Sequence, residues 1–275
     1  MKISIVVPSY NQAQFLDSTL RSLINQDYPD KEIIVMDGGS LDGSVDIILK
    51  YESHLASWRS QPDGGQSRAI ADGFSIATGE VIGWLNSDDV LSHGALKRVA
   101  QAVYDAGTKD GVFYGGYEVI DEGGQVQEVI HGTPTVSWVA KAIGPSISQP
   151  GAFWGRDAYL RVGGLDPLLR YGMDKDLLMK FLLSGVRFFL ISDVQAQFRS
   201  HSNQKGHTVE WLKYCDEEER QICTRYQMAT NGSLRGLVAR QVQRLLRIFY
   251  GKAHASLLFR LIHHHRLRRY TVDYT

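Results

Sequence analysis

The chain lacks the means for a disulfide framework: its 275 residues include two cysteines, Cys215 and Cys223, which read as reduced thiols. It also has no apolar run near the roughly 20 residues that a spanning helix needs. The opening MKISIVVPSYN reads as a strand and a turn, without the apolar stretch or cleavage site of a signal peptide, so a cytoplasmic location is expected. Net charge is absent as well, with 30 basic residues against 30 acidic ones, and no nucleic-acid partner is expected. Two phosphate-binding signatures are missing. No Gly-x-x-x-x-Gly-Lys-Ser/Thr loop is present, which excludes a P-loop NTPase. No Gly-x-Gly-x-x-Gly follows the first apolar run, which argues against a dinucleotide site. There is no repeat, low-complexity tract or long linker. What remains, 43% hydrophobic and 22% charged, is enough for a full apolar core in one large domain with or without an appendage.

The balanced charge conceals an asymmetry. Residues 235–269 hold eight Arg, one Lys and no acid, so the rest of the chain keeps 21 of the 30 basic residues against all 30 acidic ones. A mildly acidic body carries a strongly basic tail.

Short apolar runs alternate with helical patterns through the first half. Ile3–Val7 closes at Pro8-Ser9-Tyr10-Asn11, and Phe15, Leu16, Leu20, Leu23 and Ile24 follow at helical spacing. Ile33–Met36 ends at Asp37-Gly38-Gly39-Ser40, and a helix over about 43–51 follows with Asp42 as its expected N-cap. After a polar loop at 61–66 come a helix near 67–77 and a third apolar run, Glu80–Leu85, closing at Asn86-Ser87-Asp88-Asp89; Ser92 is the expected cap of the next helix. This order predicts βαβ units and a mostly parallel sheet covered on both faces. Val112–Ile120 and Val126–Ile130, joined by a Gly123-Gly124 turn, predict a hairpin and so a mixed sheet; a helix over 174–184 and a strand over 187–191 follow. From about Val209 the pattern is helical.

Polar, glycine-rich clusters directly follow three of the strands, and in open α/β sheets such strand ends form the ligand crevice. The adjacent carboxylates Asp88 and Asp89 repel each other unless a cation or solvent offsets them. A Mg²⁺ ion held by one or two carboxylates and substrate phosphates is one reading; a solvated, capping pair is the other.

Four segments in order, SIVVPSYNQAQFL, VMDGGSLDGS, QPDGGQSRAIADGFSIATGEVIGWLNSDD and GGLDPLLRYGMDKDLLMKF, resemble the motifs of the family 2 glycosyltransferases of GT-A fold, over about residues 1–205. The resemblance implies a metal-dependent enzyme that moves one sugar from a nucleotide-diphosphate donor, most often UDP-linked, to an acceptor hydroxyl with inversion. It implies that Pro8, Ser9 and Tyr10 hold the nucleotide, Tyr10 by stacking, and that Asp37 helps fix the base. The family carries a second acid where Gly38 stands here. Gly65, Gln66 and Arg68 would face the donor, Arg68 on a phosphate or else on the outer surface. Asn86-Ser87-Asp88 stands at the family's Asp-x-Asp motif, so Asp88 would bind Mg²⁺ or Mn²⁺, with His201 of an Arg-x-His element, after Arg199, as a second candidate. Asp174 matches the general base, with Met173 where the family has Glu. Gln149, Trp154 and Asp176 would lie on the acceptor side. The Gln-x-x-Arg-Trp motif of processive members is absent, which favours one sugar per acceptor.

In the tail, Leu234, Val238, Val242, Leu245 and Phe249 fall on one side of a helix at roughly 100° per residue, with Arg240, Arg244 and Arg247 near the other. Residues 234–269 are therefore expected to lie on an anionic membrane, on the catalytic body or on a second copy of the chain. The expected architecture is a GT-A-type catalytic domain over 1–205 and a helical, basic region over 206–275. A lipid-linked or cell-surface polysaccharide precursor, met at the inner face of the plasma membrane, is the expected acceptor. A sugar nucleotidyltransferase and a degenerate nucleotide-sugar-binding scaffold, the latter prompted by Gly38, Asn86 and Met173, are the rival readings.

Overall fold

The computed structural model describes residues 1–202, 204, 209–229 and 232–254. The expected boundary at 205/206 and the tail residues from Leu257 to Arg269 lie outside the described residues. In chain order the elements are β1 (Ile3–Ser9), α1 (Ala13–Ile24), β2 (Lys31–Asp37), α2 (Ser44–Lys50), β3 (Ser57–Ser60), α3 (Gln66–Ile76), β4 (Val81–Trp84), β5 (Val90–Leu91) and α4 (Ala95–Ala106). They continue with β6 (Gly111–Ile120), β7 (Val126–Ile130), α5 (Ser137–Ile143), β8 (Ala152–Gly155), α6 (Arg156–Arg161), α7 (Met173–Leu183), β9 (Arg187–Arg199), α8 (Val209–Arg225) and α9 (Leu234–His254).

One mixed sheet runs in the order β3-β2-β1-β4-β8-β6-β9-β5, with β7 paired to β6. The first four neighbours are parallel, as is β6 with β9. β8 enters antiparallel between β4 and β6. β1 lies between two parallel neighbours and all seven of its residues are buried, which is why it reads as an unbroken apolar run. Its side chains feed two cores. Val6 packs with Ile70, Phe74 and Phe181 on one face, while Ile5 and Val7 pack with Leu16, Leu20, Leu96 and Val99 on the other.

Two expected caps differ in detail. Gly43, at φ 96°, occupies the N-cap of α2, and Asp42 stands just before it. Asp42 still serves two helix starts: Oδ1 accepts the Ser44 N–H and hydroxyl, and Oδ2 accepts the N–H of Ala13 at the head of α1. Gly94, at φ 73°, takes the N-cap of α4, and Ser92 contributes only its carbonyl, to Ala95. The left-handed φ that each turn requires favours glycine over the expected acid or serine.

α9 packs against α5 through Ala239, with Val139 and Ala142 opposite and Val242 beside them. Leu234, Val238, Leu245 and Phe249 of the expected apolar face are exposed instead. Small side chains let the two helices approach closely, so the face that meets the body lies between the apolar and the arginine-rich stripes.

Candidate active site

The parallel register aligns the carboxyl ends of β2, β1 and β4, so the loops after them share one rim. A cavity of about 1410 Å³ opens there and is lined by Pro8, Ser9, Tyr10, Gly38, Asp63, Gly65, Gln66, Asn86, Ser87, Asp88, Gln149 and Asp174, among others. The structure thus brings together most of the residues singled out from the sequence.

At the β1–β2 end, Tyr10 presents a ring that is 62% exposed. A Cβ on Gly38 would lie 3.2 Å from that ring and 3.3 Å from Oδ2 of Asp63. Glycine at 38 therefore admits both groups, and Asp63 brings a carboxylate to the place where Gly38 brings none. Its Oδ1 accepts the N–H of Gly65 at 2.7 Å, which sets the loop entering α3. Sequence reasoning passed over Asp63; its only signal is the Asp-Gly-Gly turn.

Asp37 is corrected. It is fully buried, does not line the cavity, and accepts bonds from the N–H groups of Gly39 and Ser40 and the hydroxyls of Ser40 and Ser60. Four internal donors occupy its oxygens, so it fixes the Gly38–Ser40 loop and has no reach to a base. For Arg68, of the two expected places, the structure has the outer surface. Its side chain is 57% exposed, pairs with Asp72, and lines a separate cleft of about 410 Å³ with Arg59 and Leu168.

After β4 the two neighbouring aspartates part. Asp88 faces the cavity, and Nε2 of His201 lies 3.1 Å from its Oδ2. Asp89 turns inward, where it accepts the N–H of Arg199 and the amide of Asn86. Burial, with Asp88 next to it, pushes the Asp89 carboxyl well above the usual carboxylate range. Asn86 also accepts from Nε2 of Gln66 at 2.8 Å, so it clamps the first residue of α3 to the Asp88 loop. Arg199 spends its guanidinium on the carbonyls of Asp88, Asp121 and Glu122, with the Phe15 ring 5.0 Å away. It holds the Asp88 loop in place from behind and is not among the residues that line the cavity.

Asp88 and His201 offer one carboxylate and one imidazole. No group of three His, Cys, Asp or Glu side chains is poised to hold a metal among the described residues. A closed all-protein site is therefore not built here. Asp88 is the donor on the cavity wall and His201 stands buried behind it, outside the lining, so a divalent ion there would take most of its ligands from a diphosphate and water.

Asp174 is the second residue of α7 and half-buried on the same cavity. Burial pushes its carboxyl up, against the Lys175 N–H, which donates to Oδ1 at 2.7 Å. Met173 packs in the core and its sulfur accepts from the Ser67 hydroxyl, so it ties α7 to α3. The segment before α7 is held by Glu218 of α8: one carboxylate takes the N–H groups of Arg170, Tyr171 and Gly172. No sequence signal links residues so far apart.

Asp176 and Trp154, expected on the acceptor side, do not line the cavity. Asp176 is fully buried and bound by Lys180, Arg225 and the Tyr226 hydroxyl; two positions along a helix rotate it about 200° away from Asp174. Trp154 is 1% exposed, in edge contact with Trp84 and Phe74, because alternation along β8 turns it into the core. Gln149 does line the cavity, its amide donating to the Trp84 carbonyl.

Comparison with known proteins bears on this cavity. The model of the family described as Glycosyl transferase family 2 matches residues 4–159. A poly(ribitol-phosphate) beta-glucosyltransferase of Bacillus spizizenii is 41% identical over 104 residues, which are 36% of this chain and 16% of that protein. A cholesterol galactosyltransferase of Borreliella burgdorferi is 37% identical over 98 residues, 35% of this chain and 27% of that protein. The chain thus spans less than a third of the length of either relative. Among solved structures, S. aureus TarS 1–349 in complex with UDP-GlcNAc matches with a TM-score of 0.63 at 19% identity, covering 87% of this chain and 79% of that one.

Proposed function

We propose, from the premise that the chain belongs to glycosyl transferase family 2 and has a GT-A fold, that it transfers a single sugar from a nucleotide-diphosphate sugar to an acceptor hydroxyl with inversion. The observation that carries this reading is the placement of Asp88, Asp174 and the exposed Tyr10 ring on one cavity. Tyr10 offers its face to the nucleoside base and Asp63 accepts from a base N–H. Gln66, held by Asn86, borders the sugar. Asp88 and His201 would hold Mg²⁺ or Mn²⁺, whose charge offsets that of the departing diphosphate. Asp174 takes the proton of the acceptor hydroxyl as its oxygen bonds to the anomeric carbon and the bond from that carbon to the diphosphate breaks. UDP is the nucleotide proposed, in line with the UDP-GlcNAc bound by TarS. A lipid-linked or cell-envelope acceptor is proposed in line with the poly(ribitol-phosphate) and cholesterol named for the two relatives.

Calorimetry and a transfer or donor-hydrolysis assay, run on two variants, test the reading. Asp88→Ala is expected to lose Mn²⁺-dependent donor binding. Asp174→Asn is expected to keep donor binding and to lose turnover by about 10²-fold or more. Donor binding without turnover by the unaltered chain in any acceptor mixture would favour the scaffold reading instead.

A further inference from the structure

Beyond β4 the sheet order leads to β8 and β6, so the cavity has a far end, opposite Tyr10, walled by β6, β7 and the C-terminal helix. Whatever binds there lies past the transferred sugar and belongs to the acceptor. Arg247 of α9 lines that end, and its Nη2 donates to the Ser146 hydroxyl at 2.8 Å. Among the described residues this is its one hydrogen bond and it forms no ion pair, which leaves several guanidinium N–H groups for a ligand. The arginine is not on a frayed end. One turn earlier Gln243 is buried and donates to the Thr133 hydroxyl at 3.0 Å, and Ala239 and Tyr250 are buried as well.

The carboxylates that line the cavity, Asp63, Asp88 and Asp174, all sit on the loops after β1–β4 and at the head of α7. The far end presents Arg247, Tyr117, Ser146 and His131; Glu128 of β7 acts on Tyr117 from nearby but is not among the lining residues. A neutral acceptor has no need of a guanidinium there. An anionic acceptor does, because it must approach Asp88, Asp174 and a diphosphate that all repel it. A planar guanidinium with a hydroxyl beside it suits a phosphate group.

We propose that Arg247 binds a phosphate of the acceptor, so that the substrate class of this site is a phosphate-bearing hydroxyl compound. This rests on the glycosyltransfer reading above. The phosphate has two conceivable sources, a polyol phosphate chain or a lipid-linked phosphate, and two probes separate them.

Binding is measured with the full chain, saturated with UDP and Mn²⁺. One arm uses a soluble polyol phosphate oligomer against its dephosphorylated counterpart. The other uses phosphatidylcholine vesicles with and without a polyprenyl phosphate. At least one phosphate probe is expected to bind more tightly than its uncharged partner. Arg247→Ala should lose that preference by about tenfold or more, and Arg247→Lys should keep part of it. With the soluble probe, Arg244→Ala, one turn away on the exposed side and outside the cavity, should keep all of it. UDP affinity and thermal midpoint should not change in any of the three. The proposal is overturned if neither probe is preferred, if Arg247→Ala binds as the unaltered chain does, or if Arg244→Ala loses as much with the soluble probe. Donor hydrolysis by the same preparation keeps the two readings apart: a chain that hydrolyses donor but ignores phosphate defeats only the acceptor proposal.

Discussion

Asp174, the base proposed above, must be ionised to act and yet sits where ionisation is opposed. Burial raises it, Glu219 adds repulsion, and the Lys175 N–H and ammonium pull the other way. The net shift is upward, toward the pH at which a base works best. The acid limb of the kcat–pH profile should therefore lie above the ordinary carboxylate range of about 4 and should vanish in Asp174→Asn, whose residual rate stays flat. A limb at the ordinary value would remove the burial argument. Stability follows the same sign. The folded chain holds this proton more tightly than the unfolded chain, so stability falls as pH rises from the ordinary value to the raised one and is constant above it. Asp174→Asn removes that penalty, and its thermal midpoint at neutral pH should equal or exceed that of the unaltered chain.

The elements that hold Asp174 come from two distant parts of the chain. α7 carries Asp174, and α8 supplies the Glu218 carboxylate that takes three N–H groups just ahead of it. Glu218→Ala takes the shared acceptor from three N–H groups in a half-buried setting and should cost on the order of 2 kcal/mol. Because the displaced segment leads into α7, kcat should fall while donor affinity at the Tyr10 end is unchanged, and Glu218→Gln should recover part of the loss. Equal losses of kcat and donor affinity would mean that the segment supports the whole cavity. Bonds of this kind mark where legibility ends. β1, β2, β4 and their helices could be read because each strand is a buried apolar run that stops at turn residues. β3, Ser57–Ser60, has no apolar run, and β8 is four residues that resemble any short buried segment. The side chains facing the cavity from those first strands and from α7 came instead from the resemblance of their segments to the family's motifs. Trp154 did not, because a shift of one residue along a strand exchanges cavity for core. Asp37, at the end of β2, and Arg68, in the first turn of α3, stand next to residues that line the cavity, but which way a side chain turns depends on neighbours such as Ser60 and Asp72.

Across the whole molecule, charge and apolar surface gather on one flank. α9 has no acidic residue, and its exposed side carries Leu234, Val238, Leu245, Ile248 and Phe249 beside Arg244. No helix is long and apolar enough to cross a membrane among the described residues. An exposed apolar stripe edged by arginine suits a helix lying in the interface of an anionic bilayer, and Arg247 on the cavity rim of that same helix would then meet an acceptor presented from the lipid. Leu245 is 64% and Phe249 65% exposed, so replacing both by Glu should leave the thermal midpoint and UDP affinity as they were. Burying each in a bilayer is worth on the order of 1.5 kcal/mol, about tenfold in partitioning. The double variant should therefore lose about 10²-fold in cosedimentation with phosphatidylserine vesicles, and the unaltered chain should release them as salt is raised. Full retention by the variant would clear α9 of any membrane role. A change from dimer to monomer in light scattering, with no vesicle binding by either form, would assign the stripe to a second copy of the chain.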